Sequence, residues 1–277
     1  MMNRAAIYGL LLSSVFHEAA CFSTINLVAN RGTQQQRQSR HAAVVVLPSS
    51  VALAMSASPT ETTTGNFIET ELRGEAMKLH TRSQAPKEGQ QEDKKMEPYV
   101  TTHQDYLQFL VDSQHVYQAL EDVVNSVDEL SVYRNTGLER VAALEQDIEF
   151  MVQEYGLEKP AVAPPGLQYA KVIRELGQPE TAPEFLCHYY NFYFAHTAGG
   201  RMIGKQMAAL LLDKKTLEFY KWNGDLNEIK ARVKGDIEDM VAKWSREEKD
   251  RCVGETAGAF RGGGALNSHL SGGQSPH

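Results

Sequence analysis

Between residues 102 and 127 the chain reads THQDYLQFLVDSQHVYQALEDVVNSV, and its apolar positions recur at helical spacing. Leu107, Leu110, Val111, Tyr117, Leu120 and Val124 share a stripe, which predicts an amphipathic helix with one face toward a core. The same rhythm begins earlier. In GNFIETELRGEAMKLHT, residues 65–81, Ile68, Leu72, Ala76 and Leu79 stand at i, i+4, i+8 and i+11. A third helix is predicted over GLERVAALEQDIEFMVQEYG, ended by Gly156. AVAPPG reads as a loop, because paired prolines interrupt helices. A short helix is predicted over 167–176 and a long one over 183–212, with Pro183 suitably near its start. KWNGDL is a turn, and a charge-rich helix follows over 225–252. The end, GGGALNSHLSGGQSPH, predicts a disordered glycine-rich tail, residues 256–277. Strand signals are few and no internal repeat is visible. The expected fold class is all-α, a single helical domain over residues 62–255.

The long helix poses a question. NFYFAHTAGGRMIGKQMAALLL, residues 191–212, carries Gly199, Gly200 and Gly204 within a strong helical pattern. Each interior glycine costs about 1 kcal/mol relative to alanine. Either another helix packs closely there, or a large flat ligand presses on the bare backbone. Just upstream, six aromatics crowd residues 185–194, most of them core by their spacing.

The first sixty residues have another character. Arg4 precedes an apolar run, AAIYGLLLSSVF, and small residues follow at Ala19, Ala20 and Cys21. This is the three-part pattern of a signal peptide, residues 1–21. Residues 22–61 start with Phe22, hold no acid before residue 61, and are rich in Ser, Thr, Gln and Ala, as transit peptides are. A signal followed by a transit peptide with Phe at the junction resembles the bipartite plastid leaders of algae with secondary plastids. An ordinary signal peptide with a disordered N-terminus is the alternative.

The net charge of −7 sharpens that division. Residues 1–60 carry about +3, from four arginines and one glutamate, which leaves −10 for the remainder. An acidic body argues against nucleic acid as the partner. Three cysteines with no CxxC argue against a disulfide scaffold. No apolar run reaches the roughly 18–20 residues that span a bilayer.

Candidate chemistry is sparse. His80 lies near the end of the first helix, where a histidine is ordinarily structural. Arg73, seven residues earlier on the same face, is about 10 Å away. That is the distance from the centre of a flat macrocycle to carboxylates on its rim. Lys230 and Lys234 stand at i, i+4 on the last helix and could bind carboxylates, or simply line a solvated face. None of the nine histidines has a glutamate three residues before it, so a di-iron bundle is a poor reading. No nucleophile elbow, Walker loop or zinc spacing is present.

LHTRSQAPKEG after the first helix, NTGLER in the third, CHYYNFYFAHTAGGRMIG and LEFYKW together resemble heme oxygenase, specifically its plant and algal plastid branch. The resemblance runs from about Phe67 to Cys252 and implies a fold in which heme is sandwiched between a proximal and a distal helix. His80 matches the proximal iron ligand. Residues 195–204 match the distal helix, with Gly199 and Gly200 on the heme face and Gly204 close to the cofactor. Arg73, Tyr190, Lys230 and Lys234 match positions that hold the propionates, although arginine is common at the last. His196 stands where animal and bacterial members usually carry aspartate, and the plant branch shares the histidine. This implies a distal-network residue rather than a second iron ligand; a structural histidine is the other reading.

The resemblance further implies that heme is both substrate and cofactor. Dioxygen would open it to biliverdin, carbon monoxide and ferrous iron, with reduced ferredoxin as electron donor in a plastid stroma and a bilin reductase as a possible consumer. An acidic body must then receive ferredoxin on local basic patches. A non-catalytic heme or bilin carrier on the same scaffold is the rival, disfavoured because His80 is kept.

Overall fold

The apolar stripe over residues 102–127 becomes the central helix of the molecule. The computed structural model describes residues 66–84 and 100–271, without the side chains of residues 80–84. The leader, residues 1–61, therefore lies outside the described residues. Among the described residues every regular element is helical. A π turn, Ile68–Leu72, leads into α1, Arg73–Gln84. Then come α2 (His103–Ser126), α3 (Val141–Tyr155), α4 (Pro164–Glu175) and α5 (Ala182–Ala195). A second π turn, His196–Gly200, joins α5 to α6, Arg201–Leu211. The described residues end with α7 (Leu226–Val241), α8 (Arg246–Gly254), α9 (Thr256–Asn267) and a 3-10 turn, Ser268–Ser271.

Local chemistry sets these boundaries. Thr102 and Asp105 form a reciprocal capping box at the start of α2, and Ser245 and Glu248 do the same for α8. Gly156, with φ of 62°, ends α3 in the left-handed conformation that glycine adopts freely. The paired prolines do not extend the loop to residue 166; Pro164 and Pro165 open α4, where the missing N–H of proline costs nothing. The first amides of α3, at Arg140 and Val141, donate to the Glu121 carboxylate of α2 at 2.8 and 3.1 Å. Those of the first π turn, at Phe67 and Ile68, donate to Glu238 of α7 at 3.0 and 2.8 Å.

The core is built on α2. Tyr106, Leu107, Leu110, Tyr117 and Leu120 are all but fully buried, and α2 packs against α3 and α4. Phe185, Tyr189 and Tyr193 extend the core along α5. No helix among the described residues is long and apolar enough to cross a membrane.

Two differences from the sequence reading stand out. The charge-rich helix over 225–252 is two helices, α7 and α8, broken at residues 242–245 and restarted by the Ser245 box. The tail from residue 256 is not disordered, at least to residue 271. It forms α9, which packs on α1, α2, α4 and α5. Its glycines let rings approach: a Cβ at Gly262 would collide with the Tyr169 ring. Buried carboxylate and imidazole groups pin it at both ends. Glu255 lies 3.2 Å from His188 Nε2, and Tyr169 Oη lies 3.1 Å from His188 Nδ1. His269 Nε2 lies 2.9 Å from Asp112, and Thr101 donates to the Leu270 carbonyl at 2.7 Å. These partners are far away in sequence, so glycine content alone misjudges the segment.

Candidate functional site

The long aromatic-to-glycine helix is continuous, but it widens to a π turn at His196–Gly200. Single π turns inside α-helices cluster at functional sites. Here the turn sends three glycines three different ways. Among the described residues, no atom beyond its chain neighbours and its own helix backbone lies within 4 Å of where a Gly199 Cβ would stand. At Gly200 that atom would sit 2.7 Å from His196 Nδ1, and at Gly204 2.7 Å from the Tyr220 ring. Only Gly199 bares the backbone to open space. For Gly200 and Gly204 the structure supplies another reason for glycine, the seating of an imidazole and a phenol ring.

His196 is buried. It stacks on Phe219 at 3.9 Å between ring centroids and borders Tyr117, Tyr220 and Trp222. Its Nε2 lies 2.8 Å from the Phe219 carbonyl. A carbonyl only accepts, so Nε2 carries the proton and Nδ1 is left as an acceptor. Burial drives the imidazole pKa down to about 3 against the opposing pull of that carbonyl bond, and Arg140 and Arg201 lower it further. The ring is neutral at physiological pH, with a lone pair rather than a proton at Nδ1.

A second group of predicted residues meets around the first π turn. Glu69 pairs with Arg73 on one side and with Lys234 Nζ on the other, at 2.7 Å. Burial pushes the Glu69 carboxyl up, but Lys234 and Arg73 outweigh it and hold its pKa below the usual range. Tyr190 is buried and stacks on Phe194 at 4.6 Å, with Lys234 Nζ 5.9 Å from the Phe194 ring. Burial raises the Tyr190 phenol pKa, with Glu69 and Arg73 as its charged neighbours. Lys230 has its ammonium pKa lowered, first by burial and then by Lys234 and Arg201. Arg73, Tyr190, Lys230 and Lys234 thus form one cationic and phenolic cluster. Arg232, between the two lysines in sequence, turns away and donates to the Thr136 carbonyl. His80 belongs to α1, seven residues from Arg73, and its side chain lies outside the described residues.

The sequence reading passed over three residues that the structure joins to His196. Asp147 is buried in α3 and accepts the amides of Glu218 and Phe219 at 2.8 and 2.7 Å. Arg140, also buried, spans the carbonyls of Leu138, Phe219 and Lys221 and lies 4.8 Å over the Trp222 ring. Trp222 Nε1 is buried with no hydrogen-bond partner among the described residues. A signal existed for Asp147: it falls on the apolar face of α3 beside Leu144, Ile148 and Met151. The NTGLER motif also acquires a reason. Asn135 and Gly137 take positive φ, Glu139 accepts the Thr136 and Gly137 amides, and this tight turn delivers Arg140. A separate cavity of about 160 Å³, bordered by Glu121, Tyr133, Arg134 and Tyr193, is smaller than the roughly 300 Å³ at which ligand pockets begin.

The chain matches a family model described as heme oxygenase over residues 68–266. It is 44% identical to heme oxygenase 1, chloroplastic, of Oryza sativa subsp. japonica over 211 residues, covering 74% of this chain and 71% of that one. It is 42% identical to heme oxygenase 1, chloroplastic, of Arabidopsis thaliana over 207 residues, 72% of each. In fold it is similar to heme oxygenase-1 of the cyanobacterium Synechocystis sp. PCC6803, a structure in complex with heme. The TM-score is 0.57 at 21% identity, covering 74% of this chain and 90% of that one.

Proposed function

The chain belongs to the heme oxygenase family, and from that premise we propose that it opens heme at one meso carbon to biliverdin, carbon monoxide and ferrous iron. Dioxygen is the oxidant and reduced ferredoxin the electron donor. Heme supplies both the iron that activates oxygen and the ring that is cut. The chain's own residues bind it, orient it and control protons around it.

The observation that carries this reading is the division of labour between the π turn after α5 and a cluster drawn from α1, α5 and α7. Gly199 faces open space, as a wall against a flat ring requires. Close by in sequence, the neutral His196 keeps a lone pair at Nδ1. Such a group would order water without supplying a strong acid on that side of the site. Arg73, Tyr190, Lys230 and Lys234 form the cluster that two propionates need, with cations and a phenol in one place. These residues fit heme. His80 would hold the iron as a neutral imidazole, and the propionate cluster would fix ring rotation and so the meso edge that is cut. Glu69 keeps Arg73 and Lys234 in place until propionates compete for them.

The plastid is the proposed site of action. The relatives named chloroplastic support it, as does the leader composition of residues 1–61. A bipartite signal to the stroma and onward supply of biliverdin to a bilin reductase complete the proposal.

The test is spectroscopic. Adding hemin to the protein should produce a shifted Soret band. Ferredoxin with its reductase should then bleach that band while a bilin absorbance rises. A Soret band that survives the reductant would overturn turnover in favour of heme carriage. His80→Ala should lose the bilin signal, and normal biliverdin output from that variant would remove His80 as the ligand.

A further inference from the structure

The 3-10 turn Glu218–Tyr220 meets His196 with the rings of Phe219 and Tyr220 and with one hydrogen-bonding backbone atom, the Phe219 carbonyl oxygen. That carbonyl decides which imidazole nitrogen holds the proton. With the proton on Nδ1 instead, two acceptors would face each other at 2.8 Å and a buried carbonyl would lose its short donor. The aim of the carbonyl therefore matters to the site, and the turn is too short to fix it alone.

Two buried charges from elsewhere fix it. Each Asp147 carboxylate oxygen takes one amide of the turn, Oδ1 from Glu218 and Oδ2 from Phe219. Arg140 approaches from the carbonyl side, with Nη1 3.4 Å from the Phe219 oxygen and also bonded to the Lys221 carbonyl just past the turn. The carboxylate thus holds the turn by its amides, and the guanidinium holds it by its carbonyls. Burial costs both charges: it raises Asp147 to about 6, against the two amide bonds, and lowers Arg140. Burying an aspartate among Leu144, Ile148 and Met151 is expensive unless its bonds are needed.

We propose that Asp147 and Arg140 are positioning residues that aim the Phe219 carbonyl at His196 and so hold its proton on Nε2, leaving Nδ1 as the acceptor beside Gly200. The proposal deepens the heme oxygenase reading, on which the functional meaning of His196 rests, but the tautomer itself is a property of the protein alone.

That independence sets the experiment. Protein labelled with ¹⁵N-histidine, without heme, is examined by long-range proton–nitrogen correlation, with His196 signals assigned by their loss in His196→Gln. Wild type should show a protonated Nε2 and a bare Nδ1. Asp147→Asn keeps one acceptor and the side-chain size, and should bring up the Nδ1-protonated form to about a tenth or more of the signal, a preference cut by the loss of a charge-assisted bond. Asp147→Glu should restore part of the wild-type pattern. A folded Asp147→Asn protein whose His196 nitrogens match wild type overturns the proposal, and so does wild type with its proton on Nδ1. Should Asp147→Asn fail to fold, Arg140→Lys is read in the same way, since it keeps the charge and loses the planar reach to Phe219. Turnover with hemin separates the two readings. If His196→Gln makes biliverdin at the wild-type rate and with the same isomer, the distal role falls while the positioning result stands. If the nitrogens do not respond to Asp147, positioning falls while the distal role stands.

Discussion

Two helical stretches of this molecule carry glycine runs, and they put them to different uses. In α9 the missing side chains make docking notches: Gly262 admits the Tyr169 ring, and Gly258 the Glu255 carboxylate with His188 beyond it. In the π turn and α6, Gly200 and Gly204 are notches of the same kind, for His196 and Tyr220, while Gly199 faces open space among the described residues. The lesson is that a glycine in a helix is diagnostic only through what stands opposite its bare Cα. One run closes contacts within the fold at Gly258 and Gly262 and leaves Gly264 open. The other mixes such contacts with an open position at Gly199, and that position lies in the turn that carries His196.

The sharpest way to break this contrast is to fill the open position. Gly199→Leu should fold normally and lower biliverdin formation by about a hundred-fold, the scale of a misplaced reactant. A wild-type rate, measured as bilin absorbance per minute, would mean that Gly199 faces no substrate. Filling a notch should do the reverse. Gly262→Ala should destabilise the protein by about 1–3 kcal/mol through overpacking against Tyr169, read from denaturant unfolding, with turnover per folded molecule unchanged. A stable Gly262→Ala protein would show that the ring retreats easily and that the notch is incidental.

The histidines beside the two runs give a finer test. His196 has its pKa lowered to about 3 from 6.5, and no carboxylate offsets the burial. The His188 pKa is also lowered by burial, but Glu255 opposes the shift. A depressed folded value means that the His196 contribution is complete above pH 6.5 and is lost as pH falls toward 3. Between pH 7 and pH 5 that loss is about 2 kcal/mol. Asp147 works in the opposite sense. Its value is raised from 3.8 to about 6, so its contribution is complete below pH 3.8 and is lost as pH rises through 6. Unfolding at both pH values in wild type and His196→Gln isolates the histidine: the variant should be spared about 2 kcal/mol of acid destabilisation. An identical pH slope in the two proteins would show that His196 is not held neutral by burial. The smallest expected effect is Gly199→Ala. With open space for its methyl group, it should stabilise the fold by up to about 1 kcal/mol. A destabilised Gly199→Ala protein would show that the open position is not open.

Much of this was legible before any coordinates. The stripe of Leu107, Leu110, Val111, Tyr117, Leu120 and Val124 is buried as its spacing predicts, and Gly156 ends its helix. Of the residues chosen by resemblance, Arg73 and Lys234 pair with Glu69, Tyr190 stacks on Phe194, and Lys230 neighbours Lys234. What was not legible depended on partners far along the chain. The ordering of α9 needs Tyr169, His188 and Asp112, all more than 65 residues away from the groups they hold. The separate reasons for Gly200 and Gly204 need Tyr220 and the rotamer of His196, which periodicity does not carry. Asp147 was visible as an acid on an apolar face, but its role needs the turn 71 residues downstream.

The anchoring of α9 has a practical side. A shortened gene ending at codon 255, where helical periodicity fades, would strip a covering from Tyr169 and Phe192 and leave the carboxylate of Asp112 without its imidazole. The product would be sticky and prone to precipitate during purification. Boundaries for recombinant production should therefore run through Ser271, and any affinity tag at that end should follow a spacer long enough to leave the Leu270 carbonyl on Thr101.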